Sequence, residues 1–297
     1  MGKLIFQAGF NGETTENKYL TIFINTVNQP MSAIQIIGII LVRNEDIFIK
    51  NVINNISQFC DRIIVTDHQS NDKTPEIIKK LAKKNKKINY LRIQHPKESH
   101  TVIEKYAGTN TWIFAVDGDE IYDPEGLHKF KKKLIEGTFN NYWQIKGNVL
   151  NCTSINHKDK IAKGYLSPPA RSMTKLYNFS IIEKWNNCPQ RIHAGDLEFK
   201  KNIKNTPTLE LFKHIEWDDA HFRCLHTVFM QRSSKEKRII TTTRLNPAEK
   251  MSAEQARESN NHIKYLRKNL KSYFRLDWKN KKYKKGKLTT KNIATFL

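Results

Sequence analysis

The stretch TWIFAVDGDEIYDPEG, residues 111–126, places an apolar run directly before a group of acids. Four carboxylates fall within seven residues of a chain whose formal net charge is +22, namely Asp117, Asp119, Glu120 and Asp123. The apolar run is typical of a buried β-strand, and the acids begin where that strand should end. The group is therefore either an acidic turn that caps a following helix or a set of oxygen ligands for a metal ion.

Upstream of this stretch, predicted strands and helices alternate. The isoleucine-rich run IQIIGIILV, residues 34–42, is continuous, as strands buried on both faces are. Apolar residues then recur at helical spacing at Ile49, Val52, Ile53 and Ile56. Further strands and helices follow in turn before the acidic stretch. This alternation predicts an α/β fold, a single Rossmann-like domain with a mainly parallel sheet.

Polar clusters follow three of the predicted strands. They are RNE at residues 43–45, DHQSND at 67–72 and DGDE at 117–120. The carboxyl ends of parallel strands meet at one edge of the sheet, and ligands of such sheets bind there. We therefore expect the three clusters to form one site.

The order and spacing of these clusters resemble the family 2 glycosyltransferases of the GT-A fold. More narrowly, they resemble the group whose first strand ends in a Lys/Arg-Asn-Glu triplet and whose fourth strand ends in Asp-x-Asp-Glu. The second strand of that group ends in Asp and continues into a polar Ser-x-Asp-x-Thr loop, here Asp67 and residues 70–74. The resemblance covers about residues 34–134. It implies that residues 34–136 form a nucleotide-sugar-binding half and residues 137–230 an acceptor-side half.

The resemblance also implies an enzyme: a metal-dependent and inverting glycosyltransferase that uses a nucleotide-sugar, with a UDP-sugar as the expected donor. Mn²⁺ or Mg²⁺ would be held by Asp117 and Asp119, since these ions use one or two carboxylates together with phosphate oxygens and water. Such a cation stabilises the charge on a departing diphosphate. Many relatives carry an Arg-Asn pair before the fourth strand, and His100 or Lys105 is expected to replace it in phosphate contact, with His100 selected for the pocket. The expected nucleotide-sugar pocket consists of Arg43, Asn44, Glu45, Asp67, Gln69, Ser70, His100, Asp117 and Gly118.

Inversion at a sugar carbon needs a general base, usually a carboxylate. The stretch QRIHAGDLE resembles a His-Glu motif of the narrower group, but Ala194 stands at the Glu position, which leaves Asp196 as a displaced candidate. The stretch EWDDAHFRCLH offers Asp218 and Asp219, and Asp219 is preferred because burial raises the pKa of one member of such a pair. The third metal ligand is expected among His193, His221 and His226, with His221 as the selected candidate.

Positive charge is concentrated at the end of the chain. Residues 231–297 hold 19 Lys and Arg against 5 Asp and Glu, a net +14. We predict a basic helical C-terminal extension over these residues, with Ile263, Leu266 and Leu270 on one stripe. Such a segment attracts a polyanion, unless the charge only reflects a Lys-rich composition of solvated surfaces. The expected contacts with a polyanionic acceptor are Lys281, Lys282, Lys284 and Lys285.

Two acceptors fit this charge. DNA carrying hydroxymethylated bases, as used by virus-encoded DNA glycosyltransferases, is the first expectation, with lysines on the phosphates and the target base flipped or reached in the groove. The alternative is a lipid-linked or cell-surface glycan, with the basic segment on anionic phospholipid. A third interpretation is a non-catalytic nucleic-acid-binding relative, against which the intact Asp-x-Asp pair argues.

The remaining features concern the setting of the protein. The four cysteines are far apart in the sequence, which favours a reducing compartment. Every apolar run is far shorter than the roughly 20 residues of a membrane span. We therefore expect a cytoplasmic protein, acting in the host cytoplasm if it is virus-encoded. Residues 1–33 are polar and turn-rich, and Met31 could be a natural start, so this N-terminal extension is expected to be an extra hairpin or a non-native leader.

Overall fold

The computed structural model of the protein describes residues 33–168, 175–235 and 282–297. The first half of the described chain alternates strands and helices as expected. Its elements are β1 (Gln35–Val42), α1 (Ile49–Ile56), β2 (Arg62–His68), α2 (Thr74–Lys84), β3 (Ile88–Ile93), α3 (Glu98–Glu104), β4 (Thr111–Asp117), β5 (Glu120–Tyr122) and α4 (Pro124–Ile135).

The second half of the described chain is built mainly from strands. They are β6 (Gln144–Lys146), β7 (Asn148–Asn156), β8 (Ile161–Ser167), β9 (Lys175–Asn178), β10 (Ile182–Asn186), β11 (Asp196–Phe199), β12 (Thr208–Glu210), β13 (Arg223–His226) and β14 (Leu288–Asn292). Short 3-10 turns lie at Phe179–Ile181, Leu211–Lys213 and Ala294–Phe296.

The main sheet has seven strands in the order β12-β6-β9-β4-β1-β2-β3. β1 pairs in parallel with both β2 and β4, and β2 pairs in parallel with β3, whereas β9 runs antiparallel to its neighbours β4 and β6. The register places Val42 beside Asp67 and Leu41 beside Asp117. The prediction of an α/β domain with a mainly parallel sheet is confirmed, and its three polar clusters begin at one edge.

The core lies where the apolar periodicity places it. β1 is buried over all but its first residue, and α1 turns the predicted Ile49, Val52, Ile53 and Ile56 inwards. Edge-to-face and stacked rings fill the space beneath α1 and α4, and each large ring removed from water contributes about 2 kcal/mol. These rings belong to Phe59, Phe114, Tyr122, Phe130, Phe139 and Phe222.

A second sheet extends from the acidic stretch. Its five strands lie in the order β14-β8-β7-β13-β5. β13 pairs antiparallel with β5, which sets His226 opposite Glu120, and in parallel with β7, which sets His226 opposite Asn151. The second sheet therefore brings a histidine from late in the chain to the acidic turn that follows β4. β10 and β11 form a separate two-stranded sheet.

The end of the chain is integrated into this second sheet. β14 pairs antiparallel with β8, the Phe296 ring stacks on Trp217 at a centroid distance of 6.0 Å, and Asn55 Nδ2 donates to the Phe296 carbonyl oxygen at 2.8 Å. The predicted basic helix lies outside the described residues, as do Lys281 and the 1–32 leader. Residues 282–297 therefore belong to the fold, whereas the sequence suggested that they extend from it.

None of the described helices combines the length and the apolar composition needed to cross a bilayer.

Candidate active site

The loops after β1 and β2 are joined by hydrogen bonds between their backbones and side chains. The Asn44 backbone N–H donates to Ser70 Oγ at 2.9 Å, and Asn44 Oδ1 accepts from the Asn71 N–H at 2.9 Å. The Glu45 N–H donates to Thr74 Oγ1 at 2.8 Å. Two predicted pocket residues in these loops, Asn44 and Gln69, have the left-handed φ values of 57° and 55°. Strained backbone of this kind clusters at ligand sites, which supports a binding role for this edge.

Asp67 organises the second loop from within the protein. Its side chain is fully buried, and Oδ1 accepts from the Ser70 N–H at 2.8 Å. Oδ2 accepts from Tyr90 Oη at 2.7 Å and from Arg92 Nη1 at 3.3 Å. Both carboxylate oxygens therefore hold the loop, and the expected contact between Asp67 and a nucleotide stays a prediction. Gln69 is exposed beside it.

The acidic stretch divides into two functions. Asp123 is the N-cap of α4, where its Oδ1 accepts from the Glu125 and Gly126 N–H groups at 3.1 Å each. Asp117 ends β4, and Asp119 lies on the turn that leads into β5. The two interpretations of the acids therefore apply to different residues: the last acid caps a helix, and the first two face the edge of the sheet.

Gly118 allows the acidic turn to pack directly on the first loop. A Cβ atom at this position would lie 2.7 Å from Glu45 Cγ and 2.9 Å from Val42 Cγ1. Glu45 is itself buried, at 5% exposure. A side chain at position 118 would collide with Glu45 and Val42, so this close packing requires glycine. The same packing places the Glu45 carboxylate at the edge of the sheet that carries Asp119.

Two arginines neutralise the Asp-x-Asp pair. Arg191 is buried, and its guanidinium donates to the Val116 carbonyl oxygen at 2.8 Å and contacts the Asp117 carboxylate. Arg232 contacts the Asp119 carboxylate and lies 3.5 Å from Glu45 Oε1. Cationic groups thus already occupy the positions beside both aspartates, as expected of a cluster of carboxylates suited to a cation.

Arg232 belongs to a segment that crosses the edge. We call residues 231–235 the crossing segment. The Arg232 carbonyl oxygen accepts from the Ile47 N–H at 3.1 Å, and Ser233 Oγ donates to Asp72 Oδ2 at 2.6 Å. The Ser234 N–H donates to an Asp46 carboxylate oxygen at 2.7 Å. The crossing segment therefore ties the loops after β1 and β2 to the acidic turn.

His226 is the histidine that the structure brings to Asp119. Its Nε2 lies 3.6 Å from Asp119 Oδ2, and the following Thr227 N–H donates to the Asp119 carbonyl oxygen at 2.9 Å. Carboxylate oxygen and imidazole nitrogen are both ligands that Mn²⁺ accepts. Across the described parts of the chain, no group of three or more acidic, Cys or His side chains already surrounds a cation position. Mn²⁺ and Mg²⁺ need only one or two carboxylates together with phosphate and water oxygens. Asp119 and His226, with Asp117 nearby, are therefore suitable ligands for such an ion.

His221, the histidine selected from the sequence, lies elsewhere. Its carbonyl oxygen packs against Gly126 on α4. Burial lowers the pKa of its imidazole, and the charges of Lys129, Lys133 and Arg223 lower it further. A surrounding of three cations disfavours a bound metal, so the structure replaces His221 by His226 at this edge.

Glu120 differs from the two aspartates because it is fully buried. Its Oε2 accepts from Tyr122 Oη at 3.0 Å and from the Asp117 N–H at 3.1 Å. Burial raises the pKa of this carboxyl group to about 8, and the nearby Asp117 carboxylate adds to the rise. Glu120 therefore supports the turn from within the core, through its contacts with Tyr122 and the Asp117 backbone.

Two of the three sequence candidates for the general base, Asp218 and Asp219, lie away from this edge. Asp218 is exposed and pairs with Lys291 on β14 at 2.6 Å, and Asp219 lies on the same surface turn. The turn with Asp218 and Asp219 precedes β13, and His226 is the last residue of that strand. The length of β13 therefore separates both aspartates from the acidic turn. Asp218 is exposed and Asp219 is only half-buried, so neither has the full burial on which the preference for Asp219 rested. Asp196 is exposed at the start of β11, where its Oδ2 accepts from Asn187 Nδ2 at 2.5 Å.

His100 is a core residue. Its side chain is fully buried, its Nε2 lies 2.6 Å from the Trp185 carbonyl oxygen, and its ring packs edge-on against that tryptophan. A phosphate group has no access to such a position. The expected phosphate contact is therefore replaced by a structural role.

The loop that carries Arg191 is conformationally strained. Asn187, Arg191 and Ala194 have left-handed φ values between 33° and 55°, and Gly195 follows at 88°. His193, from the same loop, lines a small cavity together with Asp117, Lys175, Tyr177 and Arg191. The sequence pointed to this loop for a general base, Asp196, and for a candidate metal ligand, His193, but not for Arg191. The Arg-x-His sequence of QRIHAGDLE, Arg191 and His193, was the available signal.

Three of the four expected acceptor-binding lysines fall within the described residues. Lys284 and Lys285 are exposed, and Lys284 Nζ lies 5.1 Å from the centre of the Phe229 ring. Lys282 Nζ lies 4.8 Å from the centre of the Tyr283 ring. Tyr283 is buried, and its ring packs edge-on against His226 at a centroid distance of 5.1 Å. The part of the chain that carries Lys282, Lys284 and Lys285 therefore passes directly beside His226.

Comparison with known families identifies the class to which this fold and site belong. The model described as glycosyl transferase family 2 matches residues 39–238, more than half of the chain. The chain therefore belongs to glycosyl transferase family 2. The family resemblance drawn from the motifs is confirmed, and it places the chain among the glycosyltransferases. The narrower Lys/Arg-Asn-Glu group stays a prediction.

Several solved structures are similar to parts of the chain. S. aureus TarS shares 17% identity at a TM-score of 0.34, over 50% of this chain and 29% of its own. A second structure is glucosyl-3-phosphoglycerate synthase from Mycobacterium tuberculosis, in complex with Mn²⁺, uridine diphosphate and glucosyl-3-phosphoglycerate. It shares 18% sequence identity at a TM-score of 0.29, and the match covers 47% of this chain and 50% of that one. Mannosyltransferase PcManGT from Pyrobaculum calidifontis, in complex with GDP-Man and Mn²⁺, shares 15% sequence identity at a TM-score of 0.29. The match covers 48% of this chain and 42% of that one. The chain thus spans at most half the length of these three structures. No curated protein matches it.

Proposed function

We propose that the protein transfers a sugar from a nucleotide-sugar to a hydroxyl acceptor, with the donor bound at the carboxyl edge of β1, β2 and β4. The observation that carries this proposal is the junction of three loops at that edge. Gly118 packs on Glu45, and Asn44 is hydrogen-bonded to the loop after β2. A UDP-sugar is the proposed donor. Arg43, Asn44 and Glu45 would face its nucleoside.

A divalent cation, Mn²⁺ or Mg²⁺, is part of the same proposal. Asp119 and His226 would hold it, with Asp117 on the adjacent position, because these side chains are the ones gathered at the acidic turn. When bound, the cation supplies Lewis-acid stabilisation of the diphosphate leaving group. The protein's own part is to orient that group, and the guanidinium groups of Arg191 and Arg232 lie where they can add positive charge to it.

The general base completes the proposed set of catalytic residues. Asp196 is the sequence candidate that directly follows the strained loop of Arg191, whose guanidinium reaches Asp117. We propose Asp196 for this role, in preference to Asp218 and Asp219, because those two lie at the other end of β13.

The proposed acceptor is a polyanion, with DNA carrying hydroxymethylated bases as the first candidate. Exposed lysines begin with the residue directly after Tyr283, which contacts His226. A phosphate chain bound by Lys284 and Lys285 would therefore lie close to the donor edge, with an affinity that decreases as salt increases. Action in the cytoplasm, in a virus-infected cell, belongs to this same proposal.

A glycan at an anionic membrane surface is the second candidate acceptor, since the same lysines would neutralise phospholipid headgroups. A non-catalytic nucleic-acid-binding role is the third candidate. The preserved acidic turn, with cationic partners on both aspartates, favours a catalytic role.

The experiment that tests the enzyme proposal is a transfer assay with several nucleotide-sugars in the presence of Mn²⁺. The acceptors are hydroxymethylated duplex DNA, unmodified DNA and lipid-linked glycan in anionic vesicles. We expect a mass increase on one acceptor, lost in Asp119→Asn and kept in the matched surface variant Asp159→Asn. Absence of both transfer and donor hydrolysis with every donor would exclude the enzyme proposal. DNA binding retained without transfer would favour the non-catalytic role.

A further inference from the structure

His226 has a hydrogen-bond partner that no sequence motif pointed to. Asn151 lies opposite His226 on the neighbouring parallel strand β7, and its side chain is fully buried. The distance between His226 Nδ1 and Asn151 Oδ1 is 2.9 Å. The two residues thus form a buried pair directly behind the acidic turn.

The orientation of the Asn151 amide follows from its other contact. Asn151 Nδ2 lies 3.2 Å from the Tyr165 carbonyl oxygen, which can only accept a hydrogen bond. The amide nitrogen must therefore face Tyr165, and the amide oxygen must face His226. Since that oxygen can only accept, Nδ1 of His226 must carry a hydrogen.

This arrangement determines what the other ring nitrogen offers. In the neutral imidazole, a hydrogen on Nδ1 leaves a lone pair on Nε2. That lone pair lies 3.6 Å from Asp119 Oδ2, the oxygen that the Arg232 guanidinium now contacts, so a divalent cation that took the place of the guanidinium would meet both atoms. Metal-binding histidines commonly donate their second ring N–H to a fixed oxygen.

The ring is also held from its side. Tyr283, from the returning end of the chain, packs on the imidazole with an angle of 75° between the planes. Asn151 sets the direction of the imidazole within its plane, and Tyr283 restricts tilting of that plane. Together they leave one ring orientation, in which Nε2 points to Asp119.

We infer that Asn151 is a positioning residue: it fixes His226 in the Nδ1–H form, so that Nε2 and Asp119 receive one divalent cation together. This inference rests on the proposed function in that the cation is the one that serves the nucleotide-sugar. Asn151 acts only through His226 and contacts neither donor nor acceptor.

The first test needs no metal. Full-length protein labelled with ¹⁵N-histidine is examined by NMR, and the His226 signals are assigned from their loss in His226→Gln. We expect protonated Nδ1 and unprotonated Nε2 in the native protein, and loss of this preference in Asn151→Leu. An Nε2–H form in the native protein would overturn the inference.

The second test is Mn²⁺ binding by calorimetry, in the presence of UDP. We expect Asn151→Leu to weaken binding about 10- to 100-fold, the range found for lost outer partners of metal ligands. Asn151→Asp keeps an acceptor for Nδ1–H and should restore most of the affinity. The matched control is Asn148→Leu on the same strand, since Asn148 is also buried and donates to a backbone carbonyl, that of Ile215, at 2.9 Å.

The metal-dependent function and the positioning role of Asn151 can be disproved independently of each other. If the native protein does not bind Mn²⁺, the metal-dependent function fails, and the NMR result alone decides whether Asn151 orients His226. If the native protein binds Mn²⁺ and Asn151→Leu binds it equally well, the inference is overturned while the proposed function stands. Equal losses in Asn148→Leu and Asn151→Leu, with equal losses of thermal stability, would also overturn it. If Asn151→Leu fails to fold, Asn151→Asp and the native spectrum decide the question.

Discussion

Gly118 shows how tightly individual residues determine the donor edge. Substitution by alanine would place a Cβ atom within 3 Å of Glu45 and Val42. We expect Gly118→Ala to displace the Glu45 side chain, to cost about 1–3 kcal/mol of stability through overpacking, and to weaken UDP binding. Chemical denaturation measures the first effect and calorimetry the second. Unchanged UDP affinity would show that Glu45 takes no part in nucleotide binding.

His221 gives a prediction about pH at the same scale. Its pKa is lowered in the folded protein, so between that value and the ordinary value of about 6.5 the unfolded chain binds more protons. The free energy of unfolding must therefore fall as the pH drops below about 6.5. We expect His221→Gln to reduce this fall, as measured by urea unfolding at pH 7 and pH 5. An identical fall in the variant would contradict the assigned surroundings of the ring.

Single residues also show what the sequence could reveal about the site. Asp117 and Asp119 were predictable because they directly follow a buried strand. Arg191 and Arg232 were not, because they lie 74 and 113 residues from the aspartates that they contact. His226 was one of three candidates, and only the pairing of β13 with β5 and β7 distinguishes it.

At the scale of elements, β13 is held at its start by one arginine. Arg223 donates to Asp123 Oδ2 from Nε at 2.9 Å and from Nη2 at 2.8 Å, and to the Trp217 carbonyl oxygen at 2.8 Å. Its guanidinium also lies about 5.5 Å from the ring centres of Trp217 and Phe296. This one side chain thus joins β13, the N-cap of α4 and the end of the chain.

Arg223→Lys tests this junction. Lysine keeps the charge but loses the forked geometry and the stacking, so we expect a loss of about 2 kcal/mol in unfolding free energy. Arg62→Lys serves as a control, because Arg62 has one side-chain hydrogen bond, to Tyr106 Oη at 3.2 Å, and should cost less than about 0.5 kcal/mol. Equal effects in the two variants would contradict a special role for Arg223.

Elements differ in how far the sequence reveals them. β1 to β4 and the helices between them were predictable, because runs of isoleucine and helical spacing mark buried strands and amphipathic helices. β13 and β14 have four and five residues, too few for a periodicity to stand out. Their existence depends on pairing with strands far away in sequence, which no local pattern encodes. For this reason the sequence could not show that Asp218 and Asp219 lie at the opposite end of β13 from His226.

At the scale of the whole molecule, the described end of the chain returns to the site. β14 delivers the chain to β8, and Tyr283, just before it, contacts His226. We expect Tyr283→Ala to weaken Mn²⁺ binding because the His226 imidazole loses the ring that packs against it. Tyr283→Phe keeps this ring and should bind Mn²⁺ nearly as tightly as the native protein does. Calorimetry distinguishes the two. Equal affinity in Tyr283→Ala would show that the ring contact does not matter for the metal.

The two guanidinium groups at the acidic turn imply a thermodynamic linkage. A cation that binds Asp119 competes with Arg232, and the displaced guanidinium is then available to a diphosphate, so each ligand improves the site for the other. Linkage requires that UDP raise the affinity for Mn²⁺ by the same factor as Mn²⁺ raises the affinity for UDP. In the absence of UDP, Arg232→Met should bind Mn²⁺ more tightly than the native protein does, since no guanidinium competes for Asp119. The factor by which UDP and Mn²⁺ raise each other's affinity should be smaller in this variant. The arginine would thus make occupancy by metal conditional on occupancy by donor.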